Sequence, residues 1–175
     1  GKVEVKGGDF SNKTIYGGYS SGNTRGSTIE ISGGTLDGAT LIGGSNSDVT
    51  NNKLLVTTNA RVKTIQNFDS LEFRPSKSSS EAMLSVTDDL SFNGSINLIT
   101  KDLQLSEGEF IDVLDSDGTL SLTGDLLIDG KIGSLAKTVV RTEDQKVIVR
   151  SQEYSYLTND QVILYGLGDI ITAAS

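Results

Sequence analysis

An internal repeat constrains the fold of this 175-residue chain more than any other feature of its sequence. Residues 3–18 read VEVKGGDFSNKTIYGG, and residues 29–44 read IEISGGTLDGATLIGG. The two segments are offset by 26 positions and share six identities in sixteen, four of which are glycines. The chain therefore contains two clear copies of one structural unit, and units of this length stack into elongated folds.

Each copy has the same succession of short strands and glycine corners. An apolar–polar–apolar triplet such as Val3 to Val5 has the period of two that a half-buried β-strand shows. The paired glycines that follow supply the positive φ angles of sharp turns. A third, more divergent copy has apolar residues at the corresponding positions, with Leu54 for Ile29, Val56 for Ile31 and Ile65 for Leu41. No window shows a period of about 3.6 residues, so little helix is predicted.

From Met83 onward the glycine pairs disappear, but apolar triplets persist between short polar turns. They are Leu84/Val86, Leu90/Phe92, Ile96/Leu98, Leu103/Leu105, Ile111/Val113, Leu120/Leu122 and Leu126/Ile128. Three such strands occupy about 20 residues, which is the length of one solenoid coil. Strands this short are stable only when coils stack and close one thin apolar column. The sequence therefore predicts an all-β fold of stacked parallel coils.

Three stretches interrupt this pattern within one continuous solenoid domain. Residues 74–82 hold the only proline and predict a protruding loop. The loop separates glycine-rich coils over residues 1–73 from plainer coils over residues 83–138. Residues 139–175 predict a β-hairpin followed by a terminal cap, because a solenoid needs cover over its last open edge.

The composition excludes several classes of functional site. Without His, Cys or Trp, the usual groups of zinc, haem, iron–sulfur, thiol and His-based catalytic sites are missing. The 23 acidic and 15 basic side chains give a net charge of −8, which repels phosphate backbones and anionic lipids. We therefore expect no cofactor and no nucleic-acid partner. An apolar content of 35% suits a narrow, regular core better than a broad globular one.

The pattern from Ile15 to Gly34, IYGGYSSGNTRGSTIEISGG, resembles the glycine-rich passenger repeats of autotransporter and adhesin surface proteins of Gram-negative bacteria. Residues 83–124 resemble the C-terminal end of such passengers, and the resemblance covers residues 1–130. It implies a right-handed parallel β-helix at the cell surface, either secreted or anchored in the outer membrane. The membrane contact would run through a C-terminal barrel outside this chain. Because Gly1 leads directly into a strand-like triplet, we also expect the chain to be a fragment of a longer protein.

These observations lead us to expect a structural and adhesive protein rather than an enzyme. A rigid stalk would present loops to a surface protein or glycan of host cells or of other bacteria. The alternative is a polysaccharide-active β-helix enzyme, a lyase or glycoside hydrolase, which would need three or more carboxylates converging in a cleft beside a basic group. An ice-binding solenoid ranks last, because Thr57 and Thr58 are consecutive and no alternating threonine ladder repeats.

Four residues are candidates for partner binding. Tyr16 and Tyr19 flank a glycine corner, where an exposed ring could stack on a sugar or anchor a protein. Core or corner packing is the simpler explanation for both tyrosines. Arg74 and Lys77 lie in residues 74–82, and departures from a rigid scaffold are where binding residues tend to occur.

Asp115 and Asp117 are weak candidates for a metal site. The run Asp-Ser-Asp-Gly is similar to the start of a calcium-binding loop, in which alternating carboxylates coordinate the ion. No Glu follows at the end of such a loop, so a plain turn between Val113 and Leu120 is the simpler prediction.

Glu4 and Glu30 occupy equivalent positions in the two copies. We expect them to stack on the outer face of the coils, where like charges repel unless Lys2 or Lys6 lies between them. This ladder predicts a solvated surface rather than a ligand site.

Overall fold

The structure is a computed structural model of the chain. It describes residues 1–18, 26–44, 51–104 and 111–132, together with the backbone of four strands between residues 140 and 165. All regular structure in these residues is β-strand, which confirms the all-β prediction. None of the described residues belongs to an apolar helix of membrane-spanning length.

The described residues form nineteen strands, numbered here in chain order. They are β1 (Lys2–Val5), β2 (Thr14–Tyr16), β3 (Thr28–Ile31), β4 (Thr40–Ile42), β5 (Lys53–Val56), β6 (Ala60–Val62), β7 (Thr64–Gln66), β8 (Ser70–Phe73), β9 (Leu84–Val86), β10 (Leu90–Phe92), β11 (Ser95–Leu98), β12 (Ile111–Ser116), β13 (Leu120–Leu122), β14 (Leu126–Ile128), β15 (Lys131–Ile132), β16 (Val140–Thr142), β17 (Lys146–Val149), β18 (Glu153–Thr158) and β19 (Gln161–Tyr165). Most contain three or four residues, as the apolar triplets predict.

The first sheet has seven strands in the order β1, β3, β5, β8, β11, β14 and β15. The first six are parallel, and β15 runs antiparallel to β14. Their register aligns two inward-facing columns of apolar residues: Val3, Ile29, Leu54, Leu71, Ile96 and Leu126, and Val5, Ile31, Val56, Phe73, Leu98 and Ile128. Ile29 and Ile31 pair with Leu54 and Val56, which confirms the third copy of the repeat.

The chain returns to the first sheet after unequal intervals. The paired residues Lys2 and Thr28, Thr28 and Lys53, Lys53 and Ser70, Ser70 and Ser95, and Ile96 and Leu126 are 26, 25, 17, 25 and 30 positions apart. The shortest interval, from β5 to β8, contains only β6, β7 and tight turns. Longer intervals carry their extra residues in the connections between strands, so the sheet is regular although the repeat length is not.

The second sheet has the order β16, β17, β12, β9 and β6, in which β6, β9 and β12 are parallel. Two smaller parallel sheets, β2-β4-β7 and β10-β13, follow the first and second sheets, and we call them together the third face. In the second sheet Arg61 pairs with Ser85, 24 positions away, whereas in the first sheet Ser70 pairs with Ser95, 25 positions away. One extra residue therefore lies between β9 and β11, and a slip of one residue breaks the ladder between β7 and β10.

The two glycine corners of each copy meet different physical requirements. Gly8 and Gly34 adopt φ angles of +91° and +92°, as predicted for sharp turns. Gly17 and Gly43 do not need this conformation, but they lie against the neighbouring backbone. A methyl group on Gly17 would lie 2.8 Å from the carbonyl oxygen of Gly43, and one on Gly43 would overlap the carbonyl oxygen of Asn67. The second corner therefore requires glycine because two backbones approach closely.

One predicted strand is wrong in part. Leu103 is buried, but it lies in a turn in which its N–H donates to the carbonyl oxygen of Thr100 at 3.0 Å. Leu105 lies outside the described residues. Asp129 holds the start of this turn, because its carboxylate accepts from the Thr100 N–H at 2.9 Å and from the Thr100 hydroxyl at 2.7 Å.

The C-terminal strands are antiparallel. β16 pairs antiparallel with β17, and β17 also pairs antiparallel with β12. β18 and β19 form a second antiparallel pair in the region of the predicted cap. Residues 166–175, the end of that region, lie outside the described residues. Parallel pairing in the second sheet therefore ends at β12.

Candidate functional site

Residues 74–82 connect β8 to β9 and are held against the body of the fold. Asn59 Nδ2 donates to the carbonyl oxygens of Glu81 and Ala82 at 3.0 and 3.1 Å. Ser79 forms an isolated parallel bridge with the first residue of β12. The predicted loop therefore packs against the fold. The backbone carbonyls of Glu81 and Ala82 accept hydrogen bonds, and Ala82 is buried.

Two clefts border this segment and share Asn59. The Arg61 cleft has a volume of about 290 Å³, and its lining includes Asn59, Arg61, Ser80, Glu81, Ser85 and Asp115. The Lys77 cleft has a volume of about 220 Å³, and its lining includes Thr57, Asn59, Pro75, Lys77 and Ser79. Both clefts lie where the long connection from β8 to β9 passes the shorter connection from β5 to β6.

The second sheet positions the polar groups of the Arg61 cleft. Arg61 is the middle residue of β6, and the register places Ser85 and Asp115 beside it on the next two strands. The Arg61 guanidinium forms an ion pair with Asp117. This hydrogen bond raises the pKa of Arg61, and the negative charge of Asp115 adds to the effect. Asp115 Oδ1 is buried and has no hydrogen-bond partner in the described part of the chain.

The structure brings both metal candidates close to Arg61 rather than to a shared ion site. Asp115 lies on β12, and Asp117 follows β12 and binds Arg61. Among the described residues, no three or more His, Cys, Asp or Glu side chains gather as metal ligands would. β12 extends through Ser116, so the connection to β13 is shorter than the turn between Val113 and Leu120 that the sequence predicts; in it the Gly118 N–H donates to Ser116 Oγ at 3.0 Å.

The partner-binding candidates fall in two places. Tyr16 ends β2 on the third face with 38% of its surface exposed, and Tyr19 lies outside the described residues. Arg74 binds the Glu72 carboxylate through Nε and Nη2, both at 2.7 Å. Lys77 is exposed in the Lys77 cleft. Arg74 and Lys77 therefore lie on the connection that borders the two clefts. Tyr16 lies on the third face and lines neither cleft.

The Arg61 cleft bears directly on the enzyme alternative. Its lining contains two carboxylates, Glu81 and Asp115, beside the Arg61 guanidinium. The expected arrangement for polysaccharide cleavage needed three or more converging carboxylates with a basic neighbour. Asp117 forms the ion pair with Arg61 and is not part of the cleft lining. The cleft therefore has one carboxylate fewer than the enzyme alternative requires.

Sequence reasoning missed Arg61, Glu81 and Ser85 as site residues. The alternation in the triplets of β6 and β9 does predict that Arg61 and Ser85 face outward. It does not predict that they become neighbours, because that depends on the 24-residue interval between the two strands. The Asn59 amide holds Glu81 through its backbone carbonyl oxygen, and no sequence pattern predicts that these two residues meet.

The outer face of the first sheet carries the expected ladder of charges. Glu4 pairs in register with Glu30, and Lys2 Nζ lies 3.2 Å from a carboxylate oxygen of each. Lys6 Nζ lies 3.1 Å from the other oxygen of Glu4. Hydrogen bonds from Lys6 and Lys2 lower the pKa of Glu4, and those to Glu30 and Glu4 raise the pKa of Lys2. Glu4 and Glu30 therefore stack as expected, and Lys2 bridges the two carboxylates while Lys6 contacts Glu4.

Comparisons of this chain with protein-family models, with curated proteins and with solved structures found no match.

Proposed function

We propose that this chain is a structural and adhesive segment of a bacterial surface protein, folded as a right-handed parallel β-helix. In this proposal it belongs to an autotransporter-like passenger of a Gram-negative bacterium, secreted or anchored at the outer membrane. It forms a rigid stalk and presents side-facing loops. The partner is a surface protein or glycan of a host cell or of another bacterium.

The observation that carries the proposal is the run of six parallel strands in the first sheet, which share two apolar columns. Five strand spacings of about 4.8 Å give a continuous ladder about 24 Å long. Its backbone hydrogen bonds lie along the stacking direction, so stretching the stack would break them together. Adding coils lengthens such a stack without widening its core, which is the property that a stalk needs.

The connections support the presenting role. Strand lengths hardly change along the first sheet, while the connections from β8 to β9 and from β11 to β12 are long. Both connections link the first sheet to the second. Lys77 adds an exposed cation there to a chain with a net charge of −8. Recognition residues commonly lie on such connections because the scaffold holds them in place.

A bead-binding assay tests the adhesive role. Beads coated with the 175-residue chain should bind host epithelial cells, bacterial cells or immobilised glycans several-fold better than albumin-coated beads. We expect Lys77→Ala to reduce this binding and Lys13→Ala, an exposed lysine in an earlier turn, to leave it unchanged. Binding no better than albumin on all three surfaces would contradict the proposal.

The β-helix itself has a separate test. An experimental structure of the chain should show the three faces winding as one right-handed coil. A left-handed path, or sheets that belong to separate layers, would contradict this part of the proposal.

A polysaccharide-active enzyme is the second candidate, because the Arg61 cleft brings two carboxylates beside a guanidinium, one carboxylate fewer than the expected arrangement. Glu81 and Asp115 would supply an acid and a base on either side of a bound glycan. The chain incubated with acidic and neutral polysaccharides should then release reducing ends or unsaturated products. Asp115→Asn should abolish the release, whereas Asp125→Asn, an exposed carboxylate elsewhere, should not.

A further inference from the structure

The break in the third face leaves a groove between β7 and β10, which we call the Phe92 groove. Its volume is about 330 Å³, within the range of small-molecule sites, which begins at about 300 Å³. Apolar lining comes from Ile65 and Phe68 on one side and from Leu90 and Phe92 on the other. None of the eight lining residues carries a charge.

Hydrogen bonds close the groove at both ends. The Asp88 N–H donates to the carbonyl oxygen of Lys63 at 3.1 Å, and the Ser95 N–H donates to that of Asp69 at 3.1 Å. Between these contacts the two coils separate, because the later coil has the extra residue. From Lys63 to Asp69 the chain spans about 20 Å at most. An extended peptide lying along the strands would have to cross the closed ends, so the groove suits a compact ligand.

The floor of the groove is apolar and its rim is polar without charge. The four apolar lining residues are buried, with 5% to 7% of their surfaces exposed, and form the floor of the groove. Gln66, Ser91 and Asn93 are exposed at the rim. Their amides and hydroxyl both donate and accept hydrogen bonds. A sugar ring has the matching chemistry, with an apolar C–H face and hydroxyl groups around its edge.

We infer that the Phe92 groove binds a neutral sugar unit of a glycan. The inference rests on the proposed adhesive function and assigns a ligand class and a site to it. The Arg61 and Lys77 clefts both have charged linings, whereas the Phe92 groove has no cation to pair with a carboxylate or sulfate. The net charge of −8 also repels acidic glycans.

Saturation-transfer NMR on the full 175-residue chain tests the inference. The probes are neutral tetrasaccharides of glucose, galactose and mannose, together with sialylated and sulfated oligosaccharides. We expect a neutral probe to bind, with affinity reduced at least tenfold in the double variant Gln66→Ala and Asn93→Ala. Both residues are exposed, so the melting temperature of the variant should stay that of the unmodified chain. Gln104→Ala, which removes an exposed amide outside the groove, is the matched control and should bind as the unmodified chain does.

Three results would overturn the inference: no neutral probe binds, the double variant binds as well as the control, or acidic probes bind better than neutral ones. Failure of the inference and failure of the proposed function are distinguishable. Bead adhesion without binding of any neutral probe would remove the sugar site and leave the adhesive role. Groove-dependent sugar binding without bead adhesion would support the site and contradict the adhesive role.

Discussion

Glu72 faces outward from the first sheet, yet only 8% of its surface is exposed. Lys53 Nζ lies 3.3 Å from one of its carboxylate oxygens, and Arg74 binds the other at 2.7 Å. Glu72→Ala should lower the free energy of unfolding by about 1–2 kcal/mol, because two half-exposed cations lose their shared partner. Glu4→Ala, at an exposed position of the same ladder, should cost less than Glu72→Ala. Urea unfolding of both variants measures the difference, and equal effects would mean that the enclosure of Glu72 has no energetic consequence.

Gly33 and Gly7 are equivalent in sequence but not in surroundings. A methyl group on Gly33 would overlap the carbonyl oxygen of Lys6, whereas one on Gly7 would meet no atom within 4 Å. Gly33→Ala should therefore destabilise the fold by about 1–3 kcal/mol, the usual cost of overpacking. Gly7→Ala should leave the stability unchanged or raise it by up to about 1 kcal/mol through the unfolded chain. Thermal unfolding of the pair checks this prediction, which a larger loss for Gly7→Ala would refute.

The ion pairs of Lys2 and Glu4 predict a pH window for stability. The lowered pKa of Glu4 means that its contribution is present above the ordinary value of 4.5 and is lost as the pH falls through the lowered value. The raised pKa of Lys2 means that its contribution is present below 10.5 and is lost as the pH rises through the raised value. Glu4→Gln should therefore lower the melting temperature slightly between these limits and have no effect well below pH 4.5. About 1 M salt should remove the difference, since the Debye length falls to about 3 Å, and a difference that persists at low pH would argue against the ion pairs.

At the scale of the strand, alternation decides which side chains reach the core. Ile31 is fully buried in β3 between Val5 and Val56, whereas Thr28 faces outward on the same strand. Ile31→Asp should lower the free energy of unfolding by about 3 kcal/mol or more, because it buries a charge without a partner. Thr28→Asp should change it by about 0.5 kcal/mol or less. We expect the same sharp loss for Val5→Asp and Val56→Asp, and unchanged melting temperatures in all three core variants would refute the assignment of the columns.

Comparison of the apolar triplets with the strands shows how much structure a pattern of three residues predicts. The triplets of β9, β10, β11, β13 and β14 form strands as predicted. β12 departs from the alternation, because Ile111 to Leu114 are all buried and Leu114, not Val113, pairs with Leu84. Leu103 fits the same pattern but lies in a turn, close to the point where the Asp129 carboxylate binds Thr100 from 29 residues away. A pattern of three residues cannot predict a contact with Asp129, which is 29 residues away in the sequence.

At the scale of the whole molecule, stability depends on how many neighbours each coil has. β1 pairs only with β3, whereas β5 lies between β3 and β8. In stacked repeats the interfaces supply most of the stability, so the end coil should open first. Hydrogen exchange followed by mass spectrometry should show β1 amides exchanging at least tenfold faster than those of β5. Equal protection in the two strands would indicate that the stack opens only as one unit.

The sequence by itself determined most of the strands, their inward and outward faces, the equivalence of the copies and the predominance of β-strand in the described residues. These follow from period-two alternation and paired glycines, which act within a few residues. Tertiary structure alone decided which coils are neighbours at each face, where the third face breaks, and which polar groups line the Arg61 cleft and the Phe92 groove. Those features depend on intervals of 17 to 30 residues between paired strands, and a single additional residue in one connection separates β7 from β10. Such intervals have no local signature, because irregular connections are fixed by what they pack against and not by their own preferences.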